Sequence, residues 1–194
     1  MKILYTFDKH NYTDDMPVFE RFAVRGIIIR DGRIAMQQAG EGYYKILGGG
    51  IDAGETNEEA LIREVREESG LVVIPQSIRE CGKIIEKRLD IFDNNTIYMC
   101  HTYVYFCDAM EEQVETEMTE SEKALNYHLS WASPEEIIKA NGRFCDKEWI
   151  ARDTRIVELI HGASRTNLLD VANTITLWLE YTSLIKRDGS RKHA

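Results

Sequence analysis

Hydrophobic and polar positions along the chain fall into two regimes. Up to about residue 145 the apolar residues come in short runs, rich in β-branched and aromatic types and broken by turn formers. That spacing predicts strands over residues 2–7, 18–30, 33–38, 43–47, 71–74, 81–87, 96–107 and 127–131. Asp31-Gly32 between two apolar runs predicts a hairpin. Beyond Asp146 the period becomes helical. Ile150, Val157 and Ile160 mark a helix over 147–160; Leu168, Ala172, Ile175 and Leu179 mark another over 167–186. The polar segments 8–17 and 111–122 read as exposed loops, and Ser133-Pro134-Glu135-Glu136 reads as a helix start. The expected organisation is a mixed core over residues 1–145, a helical extension over 146–186 that packs on the domain or at a dimer interface, and a basic tail over 187–194.

Composition narrows the classes. A chain of 194 residues with 43% apolar content is long enough for one sizeable folded core. Its net charge of −9 repels phosphate backbones and anionic lipid, which argues against nucleic-acid polymers and membranes as partners. It leaves room for a small phosphorylated substrate when divalent cations bridge the two. The N-terminal stretch MKILYTFDKHNYTDD lacks a signal peptide's apolar centre, and no apolar run is long enough to span a bilayer. None of the four cysteines has CxxC spacing, so buried free thiols and a cytoplasmic location are expected.

The chemistry concentrates in GGGIDAGETNEEALIREVREESGLVV, residues 48–73. Thr56 and Glu59 form a capping box, and Gly70 sits where a left-handed helix end belongs, so 56–69 is expected to be a helix. On a helical wheel Leu61, Ile62 and Val65 share one arc. Glu64, Glu67 and Glu68 share the next, with Glu68 nearest the apolar side. Three carboxylates so placed raise one another's pKa, and Arg63 and Arg66 relieve only part of the repulsion. The helix contains no lysine. A divalent cation would supply the missing charge, and an all-oxygen donor set suits Mg²⁺, with Mn²⁺ possible. An ordinary acidic surface helix is the competing reading of the carboxylates alone.

The spacing goes further. Gly49, five residues, Glu55, seven residues, then Arg63-Glu64-Val65-Arg66-Glu67-Glu68-Ser69-Gly70-Leu71 matches every defined position of GX5EX7REUXEEXGU, with U apolar. This resembles the signature of the Nudix hydrolases. A weaker resemblance in element order extends over about residues 18–140. It implies an α/β fold: a Nudix-type α/β/α sandwich with a mixed β-sheet. It implies that Glu64, Glu67 and Glu68 bind metal, that Glu55 and Arg63 brace loop against helix, and that Gly48, Gly49 and Gly50 let the backbone approach phosphate. Arg25 and Tyr43, with Phe22, Tyr44 and Lys45, stand close enough in sequence to recognise a base; core packing explains them as well. One departure is Leu47, where many members have proline.

The resemblance implies hydrolysis of a diphosphate linkage in a nucleoside diphosphate derivative, such as ADP-ribose or a nucleotide sugar. A nucleoside triphosphate is the nearest alternative, and a non-catalytic nucleotide sensor the next. Glu64 is one candidate general base; Glu41, Glu117, Glu120 and Glu122 are others. Downstream marks of particular subfamilies, including SQPWPFP, are absent, and the region where a proline can stand reads Glu86-Lys87-Arg88. A homodimer is expected, with a monomer as the alternative.

Overall fold

A computed structural model describes residues 1–165. The helix expected over 167–186 and the tail over 187–194 lie outside the described residues.

The longest alternating runs build the main sheet. Strand β1 (Ile3–Asp8) lies parallel to β7 (Arg79–Leu89), β7 pairs antiparallel with β8 (Ile97–Phe106), and β8 runs parallel to β2 (Val18–Ile27). This sheet, in the order β1-β7-β8-β2, is therefore mixed. The chain leaves it at Ile28 and enters a second sheet. There β3 (Ile29–Arg30), β4 (Arg33–Gln38) and β10 (His128–Ala132) lie side by side, with β5 (Tyr44–Ile46) also on β4. The expected single strand over 18–30 is thus two, one in each sheet. Asp31 at φ 48° and Gly32 at φ 75° form the tight turn that Asp-Gly predicts.

Helices cover both faces. α1 (Asn57–Ser69) packs Leu61 and Val65 against Val24, Ile28 and Leu47. α3 (Pro134–Asn141) and α4 (Glu148–Arg165) pack Ile137, Ile156, Val157 and Ile160 against Ile27, Ile34, Ile46 and Val104 on the other side. Each of these fully buried aliphatics contributes about 1.5–3 kcal/mol relative to exposure. The result is the expected α/β/α arrangement. α4 is integral to its second layer: Asp153 on α4 accepts the Ile46 amide at 3.0 Å. No helix among the described residues is long and apolar enough to cross a membrane.

Two expectations need correction. The acidic stretch 111–122 is not one exposed loop. Its start completes β9 (Ala109–Gln113), paired with β6 (Leu71–Val73), and its end opens α2 (Glu120–Ala124). A capping box, Thr119 with Glu122, starts α2 despite the local charge. Among the cysteines, Cys81, Cys100 and Cys107 are buried free thiols, but Cys145 is exposed.

Candidate active site

The site begins with how α1 is held. The Thr56 hydroxyl accepts the Glu59 amide at 3.2 Å, and the Glu59 carboxylate accepts the Thr56 amide at 2.8 Å. Gly70, at φ 72°, ends the helix by donating to Arg66 O. A side chain there would run into the Val114 carbonyl, so that stop needs glycine. Between these caps the helix is fixed in rotation by Leu61 and Val65, and its carboxylate arc turns toward the glycine loop.

That loop is pinned by β2. Val24 N donates to Gly49 O and Gly26 N to Leu47 O, both at 2.9 Å. Gly48 has φ 130° and lies so close to the Val24 carbonyl that no Cβ fits. The space a Cβ on Gly49 would take is filled by the Glu64 carboxylate. The requirement for glycine here is steric: loop backbone and helix carboxylate are in contact.

Arg63 ties the two together. Its Nε and Nη2 donate to the two Glu55 oxygens at 2.7 and 2.9 Å, Nη2 also reaches Gly50 O at 3.0 Å, and Nη1 serves Glu64 at 2.8 Å and Glu67 at 3.3 Å. Hydrogen bonds from Arg63 hold the Glu55 carboxyl down at about 2. Glu55, in turn, raises the Arg63 guanidinium above its ordinary range. Glu55 therefore bridges Arg63 to the loop, as its Oε2 also accepts the Asp52 amide at 3.0 Å.

Glu68 is set apart from its neighbours. It is only 2% exposed, ion-pairs with Lys45 and accepts the Gly48 amide at 2.7 Å. Burial pushes its carboxyl up to about 7, against the pull of Lys45, that amide and Arg25. Glu64 and Glu67 are more open, their side chains 15% and 34% exposed. No three Asp, Glu, His or Cys side chains are gathered into a ready cage among the described residues. Glu64 and Glu67 share a guanidinium while Glu68 leans on Lys45. The donor chemistry nevertheless fits a hard divalent cation: oxygen ligands only, one helical turn, and a glycine backbone brought against the Glu64 carboxylate.

A cleft of about 740 Å³ opens from Gly48 and Gly49 across the main sheet. Strand alternation decides what faces it. Arg21, Ala23 and Arg25 on β2, Tyr98 and Cys100 on β8, and Glu86 and Arg88 on β7 share one face. Lys147, Trp149 and Arg152, at and near the start of α4, add another wall. Arg88 lies 4.2 Å over the Tyr98 ring and pairs with Glu86 at 3.0 Å and Glu148 at 2.7 Å.

The structure gathers Glu55, Arg63, Glu64, Glu67 and Glu68 around the glycine loop, whose Gly48 and Gly49 line this cleft. Arg25 also lines it, though buried. Tyr43 does not suit base stacking: it is 1% exposed, its hydroxyl 2.9 Å from that of Tyr127 and its ring edge-on to Phe144. Phe22 stacks on His101 instead. Of the candidate bases, Glu120 is exposed and paired with Lys123, Glu117 pairs with Arg66 at 2.6 Å, and Glu41 pairs with Lys147. Glu122 stands 3.7 Å from Lys45, nearer the helix carboxylates. Arg21, Arg88, Tyr98, Trp149 and Arg152 escaped the sequence reading. The available signal was the Arg-x-Ala-x-Arg alternation of β2; nothing local ties α4 to it.

Comparisons with known proteins bear on the family and the fold. The family model for the NUDIX domain matches residues 20–153. An ADP-ribose pyrophosphatase of Methanocaldococcus jannaschii is 41% identical over 54 residues, which is 26% of this chain and 32% of that protein. The chain thus spans about a third of that relative's length. A crystal structure of a nudix hydrolase family member from Chromobacterium violaceum superposes with TM-score 0.51 at 18% identity, covering 92% of this chain and 99% of that one. A MutT NUDIX hydrolase from Burkholderia pseudomallei gives TM-score 0.44 at 22% identity, over 60% of this chain and 85% of that one. With the signature intact and the family model covering most of the chain, this protein belongs to the Nudix family.

Proposed function

We propose that this chain hydrolyses the diphosphate linkage of a nucleoside diphosphate derivative, with ADP-ribose or a nucleotide sugar as the leading substrates, and that it needs Mg²⁺ or Mn²⁺. The observation that carries the reading is the contact of the Glu64 carboxylate with the Gly49 backbone at the mouth of a cation-lined cleft. Glu64, Glu67 and Glu68 would hold the cation. When bound, it supplies charge neutralisation for the diphosphate and lowers the pKa of a ligated water.

The chain's own residues do the rest. Arg63 orients Glu64 and Glu67 while Glu55 fixes Arg63 on the loop. Gly48 and Gly49 line the cleft and let the loop backbone close on Val24 and on the Glu64 carboxylate. Water attacks one phosphorus, the bridging P–O bond breaks, and two monoesters leave; the water's proton passes to a carboxylate, for which Glu64 is best placed. The name of the archaeal relative favours ADP-ribose among the substrates. A cytoplasmic homodimer is the expected setting.

The test is monophosphate release from ADP-ribose, nucleotide sugars, dinucleoside polyphosphates, NADH and nucleoside triphosphates, with Mg²⁺, with Mn²⁺ and with chelator. Metal-dependent turnover of ADP-ribose or a nucleotide sugar supports the reading. Preference for a triphosphate would shift the substrate class. Nucleotide binding without any turnover would make the chain a sensor.

A further inference from the structure

Cations are concentrated along the lining of the cleft. Six cationic residues line it, Arg21, Arg25, Lys45, Arg88, Lys147 and Arg152, against the carboxylates Glu86, Asp146 and Glu148. This is in a protein whose net charge is −9. Three of the six have carboxylate partners away from Asp153. Lys45 pairs with Glu68, Arg88 with Glu86 and Glu148, and Lys147 with Glu41.

Arg25 and Arg152 are different. Both are 6% exposed, and the nearest carboxylate for both is Asp153. Asp153 Oδ1 takes Nε and Nη2 of Arg152 at 3.0 and 2.9 Å, and Oδ2 takes the Ile46 amide at 3.0 Å. Arg25 is left at 3.8 Å, beyond hydrogen-bond range. It donates from Nη1 to Val24 O at 2.7 Å, while its Nε is buried with no partner. Burial and the charge of Arg152 both press the Arg25 pKa down, as befits a cation short of an anion. Buried charges are ordinarily paired and their donors satisfied, and an unpaired buried donor is costly. Here two guanidinium groups share one carboxylate on the floor of a cleft that opens at Gly48.

We propose that Arg25 and Arg152 form an oxyanion subsite for a phosphoryl group of the substrate additional to the two joined by the scissile linkage. The subsite lines the cleft beside Gly48, with Arg25 close enough to the α1 carboxylate Glu68 to lower its pKa. A guanidinium matches a phosphoryl group in charge and in the geometry of its donors. Among nucleoside diphosphate derivatives, those that carry a third phosphoryl group on the ribose are therefore preferred. This deepens the hydrolase reading and rests on it for the word substrate; the anion site itself does not.

Two experiments separate these layers. The first is calorimetric titration of inorganic tripolyphosphate into the full chain with chelator present, where the helix carboxylates repel anions. One-to-one binding is expected, weakened at least about tenfold in Arg25→Met and largely retained in Arg25→Lys. Absence of binding to the folded wild type overturns the subsite whatever the variants do. Equal binding by wild type and folded Arg25→Met overturns the role of Arg25. The second is kcat/KM with Mg²⁺ for ADP-ribose against its 2′-phosphate. The extra phosphoryl group should raise kcat/KM at least about tenfold, a preference lost in Arg25→Met. Equal values overturn the specificity claim. No turnover of any compound, with tripolyphosphate still bound, sinks the hydrolase reading and leaves the anion site standing.

Discussion

The two ends of the cleft are built in opposite ways. At the α1 end, acids predominate, and one arginine organises them: Arg63 touches Glu55, Glu64 and Glu67. At the floor, cations predominate, and one acid organises them: Asp153 lies between Arg152 and Arg25. The acidic end is partly open to solvent, with Glu67 a third exposed, so its repulsion is screened. At the basic end Asp153 is fully buried. A buried, unevenly compensated cluster is sensitive to loss of its counter-charge. The acidic end should accordingly tolerate neutral substitutions in stability and fail in chemistry. The basic end should fail in stability first.

The largest effect expected is Asp153→Asn. It leaves two buried guanidinium groups without a carboxylate and should cost about 3–5 kcal/mol in denaturant unfolding. A loss below about 1 kcal/mol would mean that the basic end is as well screened as the acidic one.

Glu67→Gln comes next. It should lower turnover by about a hundredfold or more while shifting the unfolding midpoint little. Unchanged turnover would remove the proposed cation site; a large stability loss would blur the contrast between the two ends.

Glu55→Gln should reduce turnover less than Glu67→Gln, because Glu55 braces Arg63. It also carries a pH signature. The folded carboxyl sits at about 2, below the 4.5 of an unperturbed glutamate. Its stabilisation is present above about pH 4.5 and is lost as pH falls toward 2. Thermal melts between pH 5 and 2 should therefore steepen in wild type relative to Glu55→Gln. Parallel curves would contradict the brace.

The smallest effect is Arg66→Ala, which breaks an exposed pair with Glu117 at 2.6 Å. About 0.5 kcal/mol or less is expected, with turnover unchanged.

The same contrast explains what could be read from the chain. The acidic end lies within one continuous stretch, residues 49–71, so caps, apolar arc and carboxylate arc were all legible by helical spacing. The strands followed from alternation and the mixed sheet from the resemblance, although the break at Ile28, which moves the chain between sheets, has no local signature. The basic end draws on β2, β7, β8 and α4, with lining residues up to 131 positions apart in the case of Arg21 and Arg152. No local period links them. Tyr43 meets a related limit: aromatic residues near a site look alike in sequence, and here Tyr43 lines the cleft while its hydroxyl meets that of Tyr127.

The most direct test of the central claim couples cation binding to catalysis. Mn²⁺ affinity by calorimetry and turnover of the best substrate would be measured together in wild type, Glu64→Gln and Glu67→Gln. The account predicts that both substitutions weaken Mn²⁺ binding and abolish most turnover in folded protein, and that chelator reproduces the loss in wild type. Full turnover in chelator, or Mn²⁺ binding untouched by either substitution, would contradict it.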